Sequence, residues 1–318
     1  TDVYNILVSG VGAVIGYGII RSLRSSGLPL RIVGMDWDNA AYGRFISDEF
    51  ALAPETSSGE YEQFLRGVCS DCNIDLFIPG IEQDVTWLAE RYADLRLERT
   101  RLAINDPRLI EISDDKWLTH LNLVASGVKA IPTKIEGSFS DFAREFGVPF
   151  LVKPRKSYAS KGLSFISSEK DLEYARLNLN GDLITQQIVG NKESEFTVAI
   201  FGFGDGTSTD SITFQRKLSR EGATSYAKIV QIAALEALVS RLVTLFNPIG
   251  PTNFQFRKHG DDYLLLEINA RISSSTSIRT AFGFNEAAMC VQYYLMGVRP
   301  QTRISTSGKV VRYIEDFI

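Results

Sequence analysis

Histidine and cysteine are scarce in this chain of 318 residues, which contains two histidines and three cysteines. His259 falls in a predicted hairpin turn and His120 on a predicted helix, so we interpret both as structural or solvated. A histidine-based zinc site and a Ser-His-Asp triad are therefore not expected. Cys69 and Cys72 form a single C-x-x-C without the second pair that a zinc site needs. The chemistry must rest on lysine, arginine, carboxylate and amide side chains, together with a cofactor or a metal.

The sequence also lacks a strong net charge and a long apolar run. Its formal net charge of -4 indicates no general attraction to nucleic acid or to an anionic membrane. Glycine or charged residues interrupt the longest apolar runs, so no transmembrane span is predicted. The N-terminal segment is predicted to form a strand and not a signal peptide, and the cysteines show no disulfide framework. We expect a cytoplasmic protein with no nucleic-acid or membrane partner.

The N-terminal third alternates short apolar strands with amphipathic helices, which predicts a parallel sheet wound in the right-handed sense. The predicted strands are residues 4–10, 30–35, 49–53 and 74–79, and the predicted helices follow residues 10–18 and span residues 61–70. Residues 10–18 form a glycine-rich loop, and Asp36 ends the second strand, as in a dinucleotide-binding site. The glycine spacing is one residue longer than the dinucleotide fingerprint, so a nicotinamide cofactor is the weaker alternative. Such loops also simply turn a strand tightly into a helix.

The rest of the chain predicts a mixture of helices and mainly hairpin-connected strands. The helices are predicted at residues 112–126, with Ser113 or Asp114 as the cap, and at 139–146, 228–246 and 285–296. The strands are predicted at residues 150–154, 163–166, 183–190, 195–201, 211–217, 253–259, 263–271 and 310–313.

The strongest chemical signal lies in the hairpin of residues 253–271. Its second strand places Glu267, Asn269 and Arg271 on one face, and a register centred on the turn puts Gln255 across from Glu267. Apolar residues occupy the predicted opposite face, namely Leu264, Leu266, Ile268 and Ala270. A carboxylate, two amides and a guanidinium suit a divalent metal and phosphate. The alternative is a surface hairpin with a solvated polar face.

A second signal is a basic loop between two predicted strands, at residues 155–162. Lys153 lies on the first of these strands, and the loop contains Ser160 and Lys161. Backbone N–H groups and lysines converge in such a loop, which favours a lid over phosphate groups.

Taken in chain order, these motifs resemble those of the ATP-grasp superfamily. They are most similar to the synthetase unit of the carbamoyl-phosphate synthase large subunit and to its short carboxylate–amine ligase relatives. The matching segments are Asp115-Lys116, residues 150–154, residues 160–162, residues 186–190, residues 195–198, residues 215–217, residues 253–255 and residues 267–271. The sequence contains one copy of this unit and no internal repeat.

The resemblance implies an α/β fold with two parts. A Rossmann-like domain at residues 1–108, with a parallel sheet and no bound nucleotide, would precede a two-lobed α+β ATP-grasp domain at residues 109–318. Within the second part, a small lid lobe would span residues 130–187 and a large lobe residues 188–318.

The resemblance also implies ATP and Mg2+ (or Mn2+) as cofactors and assigns the residues that would bind ATP. Lys116 and Lys153 would hold the phosphates, and Ser160 and Lys161 would lie in the closing loop. The segment Gln186, Gln187, Ile188 and Val189 would contact adenine. Glu195 would accept hydrogen bonds from the ribose, with Glu193 as the alternative.

The remaining implied roles concern the metal and the substrates. Glu267 and Asn269, with Gln255, would ligate the metal, while Arg271 and Arg216 would stabilise the transferring phosphoryl group. Candidate substrate contacts are Arg279, Ser273 and Glu82. The plain alternatives are a surface arginine for Arg279 and a helix-capping carboxylate for Glu82.

The implied activity is ATP-dependent ligation of a small-molecule carboxylate to an amine, through an acyl phosphate that is protected from water. The alternatives are an ATP-grasp kinase that stops at a phosphorylated product and a non-catalytic ATP-binding subunit. A nicotinamide-dependent dehydrogenase is the least favoured alternative, because it leaves the lysines and the polar hairpin face without a role. A homodimer is compatible with these features.

Overall fold

The fold is taken from a computed structural model, which describes residues 3–97, 99–157, 162–219 and 222–313. Its strands are β1 Tyr4–Ser9, β2 Leu30–Asp36, β3 Glu49–Leu52, β4 Leu76–Ile78, β5 Arg101–Leu102, β6 Thr133–Lys134, β7 Phe150–Pro154, β8 Ser164–Ile166, β9 Leu183–Gln186, β10 Glu195–Phe203, β11 Ile212–Leu218, β12 Thr224–Ile229, β13 Ile249–His259, β14 Asp262–Asn269 and β15 Lys309–Val311. Its α-helices are α1 Val14–Arg24, α2 Tyr61–Asp71, α3 Glu82–Glu90, α4 Pro107–Asp114, α5 Lys116–Ala125, α6 Phe139–Phe146, α7 Glu169–Asn178, α8 Ala233–Phe246, α9 Thr276–Ala281 and α10 Glu286–Cys290.

The N-terminal strands form a parallel five-stranded sheet in the order β3-β2-β1-β4-β5, which confirms the predicted α/β arrangement. The glycine loop serves close packing here. A Cβ at Gly16 would collide with the carbonyl of Gly10, and Gly10 itself has a φ of 60°, which favours glycine. The glycine loop therefore serves as a tight turn from β1 into α1, as the alternative interpretation of the sequence had it.

A second sheet, which we call the lid sheet, is antiparallel and has the order β6-β9-β7-β8. The helices α6 and α7 cover it, and each begins with a capping box, at Ser138–Asp141 and Ser168–Asp171. The lid sheet has its own small core, formed by Phe142, Phe146, Phe150, Val152, Ile166, Leu172 and Ala175.

The third sheet, which we call the large sheet, is antiparallel with the order β14-β13-β10-β11-β12-β15. It shares one apolar core with the parallel sheet, since Leu7 and Phe77 belong to the same cluster as Phe196 and Phe254. The lid sheet, by contrast, has a core of its own. The division at residue 108 and the lobe boundary at residue 187 remain predictions. In the part of the chain that the structure describes, no helix is long and apolar enough to span a membrane.

Two helix predictions were wrong, and one helix was missed. The helix predicted at residues 112–126 is two helices, because Asp115 leaves helical geometry and caps α5 by accepting from the amides of Trp117 and Leu118. The helix predicted to begin at residue 228 begins at Ala233, and β12 occupies the residues before it. Helix α7 was not predicted, since its sequence has little apolar periodicity.

Candidate functional site

The hairpin β13–β14 has the predicted register, with Gln255 opposite Glu267 and Asn253 opposite Asn269. A bulge follows Gln255, so that Phe256 faces Leu265 and Leu266 is the extra residue. The placement of Leu264 and Leu266 on the face opposite Glu267 was therefore wrong, because one inserted residue shifts the alternation. Instead, Leu264 and Leu266 pack with Ile131 and Val189 in a small apolar cluster. Leu264 lies opposite Arg257, near the turn end of the hairpin.

Three residues on this face were predicted to bind metal. Glu267 is half-buried, and its carboxylate has no hydrogen bond or ion pair within the described residues. Asn269 is 7% exposed, and its Nδ2 has no partner there either. The Oε1 of Gln255 accepts from Nη2 of Arg216 at 2.8 Å. An unpaired carboxylate beside an amide suits Mg2+, with Gln255 as the weaker ligand because its oxygen is already engaged.

The described residues contain no group of three histidine, cysteine, aspartate or glutamate side chains that could hold a metal. A metal at this position would therefore rely on one carboxylate, on amide oxygens and on oxygens supplied by a ligand or water. That donor set fits Mg2+ bound together with phosphate, since Mg2+ keeps several of its positions for water or substrate oxygens.

The two predicted phosphate-binding lysines face Glu267 from different elements. Lys116 begins α5, and its Nζ donates to the carbonyl of Ser157 at 2.6 Å and to its Oγ at 3.1 Å. Burial lowers the pKa of Lys116, and Glu267 opposes this shift most strongly. Burial and the nearby charge of Lys116 lower the pKa of Lys153 on β7 to about 8. Two positive groups this close together favour a bound anion.

The root of the predicted lid loop is fixed to α5. Arg155 follows β7 and donates from Nη2 and Nε to the carboxylate of Asp115, at 2.6 and 3.2 Å. The backbone N–H of Lys116 donates to the carbonyl of Arg155 at 3.1 Å. Burial opposes ionisation of Asp115, but Arg155 and the capped amides outweigh it and hold its pKa below the usual value. The predicted loop residues Ser160 and Lys161 lie outside the described residues.

The segment predicted to contact adenine connects the lid sheet to the large sheet. The Nε2 of Gln186 donates to Oγ1 of Thr133 at 2.9 Å, so this side chain is used inside the lid sheet. Gln187 and Ile188 are half-buried, and Val189 is buried in the apolar cluster with Leu264. The backbone N–H of Gln187 donates to the carbonyl of Pro132 at 3.0 Å. The segment therefore borders an apolar surface, which suits a flat heteroaromatic ring.

Glu195, the predicted ribose acceptor, is buried and paired with two arginines. Its Oε1 accepts from Arg216 at 2.8 and 3.2 Å, and its Oε2 accepts from Arg257 at 3.0 Å. The side chain of Arg216 is 4% exposed and is engaged with both Glu195 and Gln255, so it does not fit the predicted direct contact with a phosphoryl group. It fits a role in fixing Gln255 and Glu195. The alternative ribose acceptor, Glu193, is exposed in a short 3-10 turn.

Arg271 follows β14 and forms an ion pair with Glu82, the first residue of α3. Its Nη1 also donates to the carbonyl of Ile272 at 3.1 Å. Burial raises the pKa of Asp114, with Lys156 opposing and Glu82 reinforcing the shift, so Asp114 belongs to the same group of charges. The structure thus brings the predicted catalytic arginine and one predicted substrate residue together.

The other two predicted substrate residues lie inside the protein. Arg279 is fully buried and forms an ion pair with Glu286 at 3.2 Å, and it donates to Oγ of Ser273 at 2.8 Å and to Thr197 at 3.1 Å. A role for Arg279 or Ser273 in binding a substrate carboxylate does not fit this geometry, because Glu286 already neutralises the guanidinium away from solvent.

Comparisons with known proteins agree with this architecture. A family model described as ATP-grasp in the biosynthetic pathway with Ter operon matches residues 184–317. A search of curated proteins finds no match. N5-carboxyaminoimidazole synthetase from Staphylococcus aureus complexed with ADP superposes with a TM-score of 0.74 at 16% identity, covering 98% of this chain and 82% of that chain. The chain has the ATP-grasp fold.

Two further solved structures with this fold are similar to the chain. Biotin carboxylase from Campylobacter jejuni has a TM-score of 0.73 at 14% identity, with 92% of this chain and 71% of that chain covered. L-amino acid ligase from Bacillus licheniformis has a TM-score of 0.70 at 16% identity, with 92% and 74% covered. The likeness to the ATP-grasp superfamily that the motifs indicated is confirmed.

Three residues of this ATP-grasp site were missed by the sequence analysis. Asp114 was predicted only as a possible helix cap, a role that Asp115 takes, and Arg155 was given no role of its own in the basic loop. Arg257 shares the site face with Gln255, and the alternation of β13 was sufficient to find it. Its contact with Glu195 joins β13 to β10, which the sequence pattern alone did not indicate.

Proposed function

We propose that this protein is an ATP-dependent carboxylate–amine ligase that forms an amide or peptide-like bond through an acyl phosphate. The observation that carries the proposal is the half-buried carboxylate of Glu267, which has no partner among the described residues and acts electrostatically on both Lys116 and Lys153. A carboxylate near two lysines suits a metal–phosphate complex, because the metal would offset the carboxylate and the phosphate would offset the lysines. The names of the three similar structures, a synthetase, a carboxylase and a ligase, support the same class of reaction.

ATP would lie between the lid sheet and the large sheet. The apolar cluster of Ile131, Val189, Leu264 and Leu266 would receive the adenine ring, with backbone groups of Ile188 and Val189 at its edge. Lys116 and Lys153 would bind the phosphates from the lid side. Ser160 and Lys161 remain predicted lid residues. The structure of the Staphylococcus aureus synthetase contains ADP, which supports a nucleotide at this fold's cleft.

Glu267 and Asn269 would hold Mg2+ or Mn2+, with Gln255 as a third, weaker ligand. The metal would supply charge neutralisation at the phosphates that are being separated. Gln255 is fixed by Arg216, and Arg216 by Glu195, so the amide on β13 is held in one orientation. The chain's own contribution is thus a rigid set of oxygen ligands opposite the two lysines.

The reaction would proceed in two displacements. An oxygen of the substrate carboxylate forms a bond to the γ-phosphorus of ATP, the bond to the bridging oxygen breaks, and ADP leaves. An amine nitrogen then bonds to the acyl carbon, the carbon–oxygen bond to phosphate breaks, and phosphate and a proton are released. Arg271 would stabilise negative charge on the transferring group, and the clamp between Asp115 and Arg155 would hold the lid root that excludes water.

The structure does not favour a nicotinamide cofactor. A cavity of about 540 Å³ lies at the carboxyl ends of β1 and β2, where a dinucleotide would bind. The described residues that line it include Asp36, Asp38, Glu55 and Asp84, but no lysine, arginine or histidine. The N–H of Gly12 donates to Asp36 at 2.8 Å, so it is not free for a pyrophosphate.

The test is the release of ADP and free phosphate from Mg-ATP, with pools of carboxylates and amines added separately and together. We expect both products to accumulate only when a carboxylate and an amine are present, with amide formed in equal amount. ADP formed with a phosphorylated product and no free phosphate would identify the kinase alternative. ATP binding without release from any pool would support a non-catalytic subunit.

A further inference from the structure

We propose that Arg257 is a nucleotide-binding residue that contacts the α-phosphate, and that Glu195 is the residue that positions it. This inference rests on the proposed ATP-binding function. It adds to the two lysines a third cation, on the opposite wall of the cleft, and it gives Glu195 a different task from the one predicted.

The first argument is the position of Arg257 along the cleft. Arg257 lies opposite Leu264, on the same face of the hairpin as Gln255 and Glu267. Its stem packs under Gly190, since a Cβ on that glycine would lie 2.6 Å from Cγ of Arg257. Gly190 directly follows Val189, so the stem of Arg257 begins at the adenine end of the proposed site.

The second argument is that the positive charge of Arg257 acts on Lys153. The guanidinium of Arg257 contributes, after burial and Lys116, to the lowered pKa of Lys153 on β7. It is therefore close enough to Lys153 to repel its positive charge. The guanidinium would thus lie between the adenine end of the site and the two lysines that would bind the phosphates. In a bound nucleotide, the ribose and the α-phosphate occupy that position.

The third argument is the charge balance around the guanidinium. Arg216 and Arg257 share the single carboxylate of Glu195, which leaves one positive charge in excess. The Nε of Arg257 is buried and has no partner among the described residues, while the side chain is 23% exposed. Arginine has only donors, so the exposed part of the guanidinium can take a further acceptor, and an anionic oxygen is the strongest one.

The fourth argument concerns Glu195. Both of its oxygens already accept from arginines, and the side chain is buried. A carboxylate engaged in this way orients a guanidinium; a ribose hydroxyl would have to displace one of these charge-assisted hydrogen bonds. Glu195 is accordingly a positioning residue that acts through Arg257.

The experiment is to measure the binding of ADP, AMP and adenosine to the wild type and to Arg257→Met by competition against a fluorescent ATP analogue. The matched control is Lys258→Met, which removes the same charge from the next residue, an exposed one on the other side of the strand. We expect ADP and AMP to bind at least tenfold more weakly to Arg257→Met, with adenosine changed less than twofold and Lys258→Met like the wild type. Wild-type ADP affinity in Arg257→Met, or an equal loss for adenosine, would overturn the inference.

Glu195→Gln, alone and combined with Arg257→Met, tests the positioning role. With Mg2+ left out, we expect the single variant to weaken ADP binding several-fold without affecting adenosine, and the double variant to equal Arg257→Met. The other contact of Glu195, with Arg216, acts on the metal ligand Gln255 and therefore does not affect this metal-free measurement. Additive losses, or a loss of adenosine affinity in Glu195→Gln, would show instead that Glu195 contacts the ribose. A wild type that binds none of the three ligands would overturn the proposed ATP-binding function itself, which distinguishes the two failures.

Discussion

The guanidinium of Arg271, at the end of β14, is paired with the carboxylate of Glu82, at the start of α3. The pair joins the large sheet to the parallel N-terminal sheet at the place where Lys116, Asp114 and Glu82 influence one another's charge. The N-terminal part therefore contributes directly to the electrostatics around the proposed phosphoryl group. It also fixes the direction in which Arg271 points.

Glu82→Gln tests this relationship. Without the charge of Glu82, Arg271 loses its ion-pair partner and its fixed orientation, so we expect kcat to fall about tenfold, equivalent to about 1.4 kcal/mol. ADP affinity should stay within about twofold, because the lysines are untouched. The control is Glu90→Gln at the other end of the same helix. An unchanged kcat would show that the ion pair is only structural.

Glu267→Gln tests the metal site. Replacing the unpaired carboxylate by an amide removes the charged ligand, and we expect turnover to fall by at least about 100-fold while the protein stays folded. Raising the Mg2+ concentration should restore part of the activity. Asp262→Asn, on the same strand at the exposed turn, is the control. Wild-type turnover in Glu267→Gln would remove Glu267 from the site.

The pH dependence of nucleotide binding follows from Lys153. Because its pKa in the free protein is lowered to about 8, Lys153 is charged below that pH and increasingly neutral above it. Phosphate binds the charged form, so we expect ADP affinity to weaken as pH rises from 7 to 9.5, by at most about tenfold per pH unit. Lys153→Arg keeps its charge over this range and should remove most of the dependence. Equal pH profiles for the two proteins would contradict the assignment.

Asp115 is expected to contribute to stability as a helix cap and as the partner of Arg155. Asp115→Ala should lower the free energy of unfolding by about 2–4 kcal/mol, from the lost cap and the lost charge-assisted hydrogen bonds. Asp182→Asn, an exposed carboxylate 3.9 Å from Arg155, should change it little. Chemical denaturation measures both.

The pH dependence of this contribution has a definite sign. The pKa of Asp115 is lowered in the folded protein, so its ionised form stabilises the fold above the unfolded pKa. The difference between wild type and Asp115→Asn should therefore be constant near neutral pH and shrink only as the pH falls through the lowered pKa. A difference that grows on acidification would contradict the assignment.

Local patterns predicted the parts of the fold and site that depend on nearby residues. The position of the hairpin turn followed from the sequence, and a turn over residues 260–262 predicts Gln255 opposite Glu267. The observed turn is one residue shorter, since His259 pairs with Asp262, and the bulge at Leu266 is what brings Gln255 opposite Glu267. The bulge itself did not follow from the sequence, because alternation gives no sign of a single inserted residue until the partner strand is known.

The sequence pattern could not predict contacts between segments that are far apart in the chain. Arg271 and Glu82 are 189 residues apart, and Arg257 and Glu195 are 62 residues apart. Arg279 could be identified as a candidate anion-binding residue, but not as a buried one, since its neutralising partner Glu286 lies on another short helix. Residue types thus indicated the chemistry, while the three-dimensional pairing decided which charges remain available to a ligand.

The most direct test of the ligase proposal is to trap the acyl phosphate. The protein would be incubated with Mg-ATP, pooled carboxylates and hydroxylamine in place of an amine, and hydroxamate would be measured alongside ADP. The account predicts hydroxamate that depends on ATP and on a carboxylate, equal in amount to the ADP released, and absent in Glu267→Gln. ADP release that depends on a carboxylate but yields no hydroxamate would contradict an acyl phosphate intermediate.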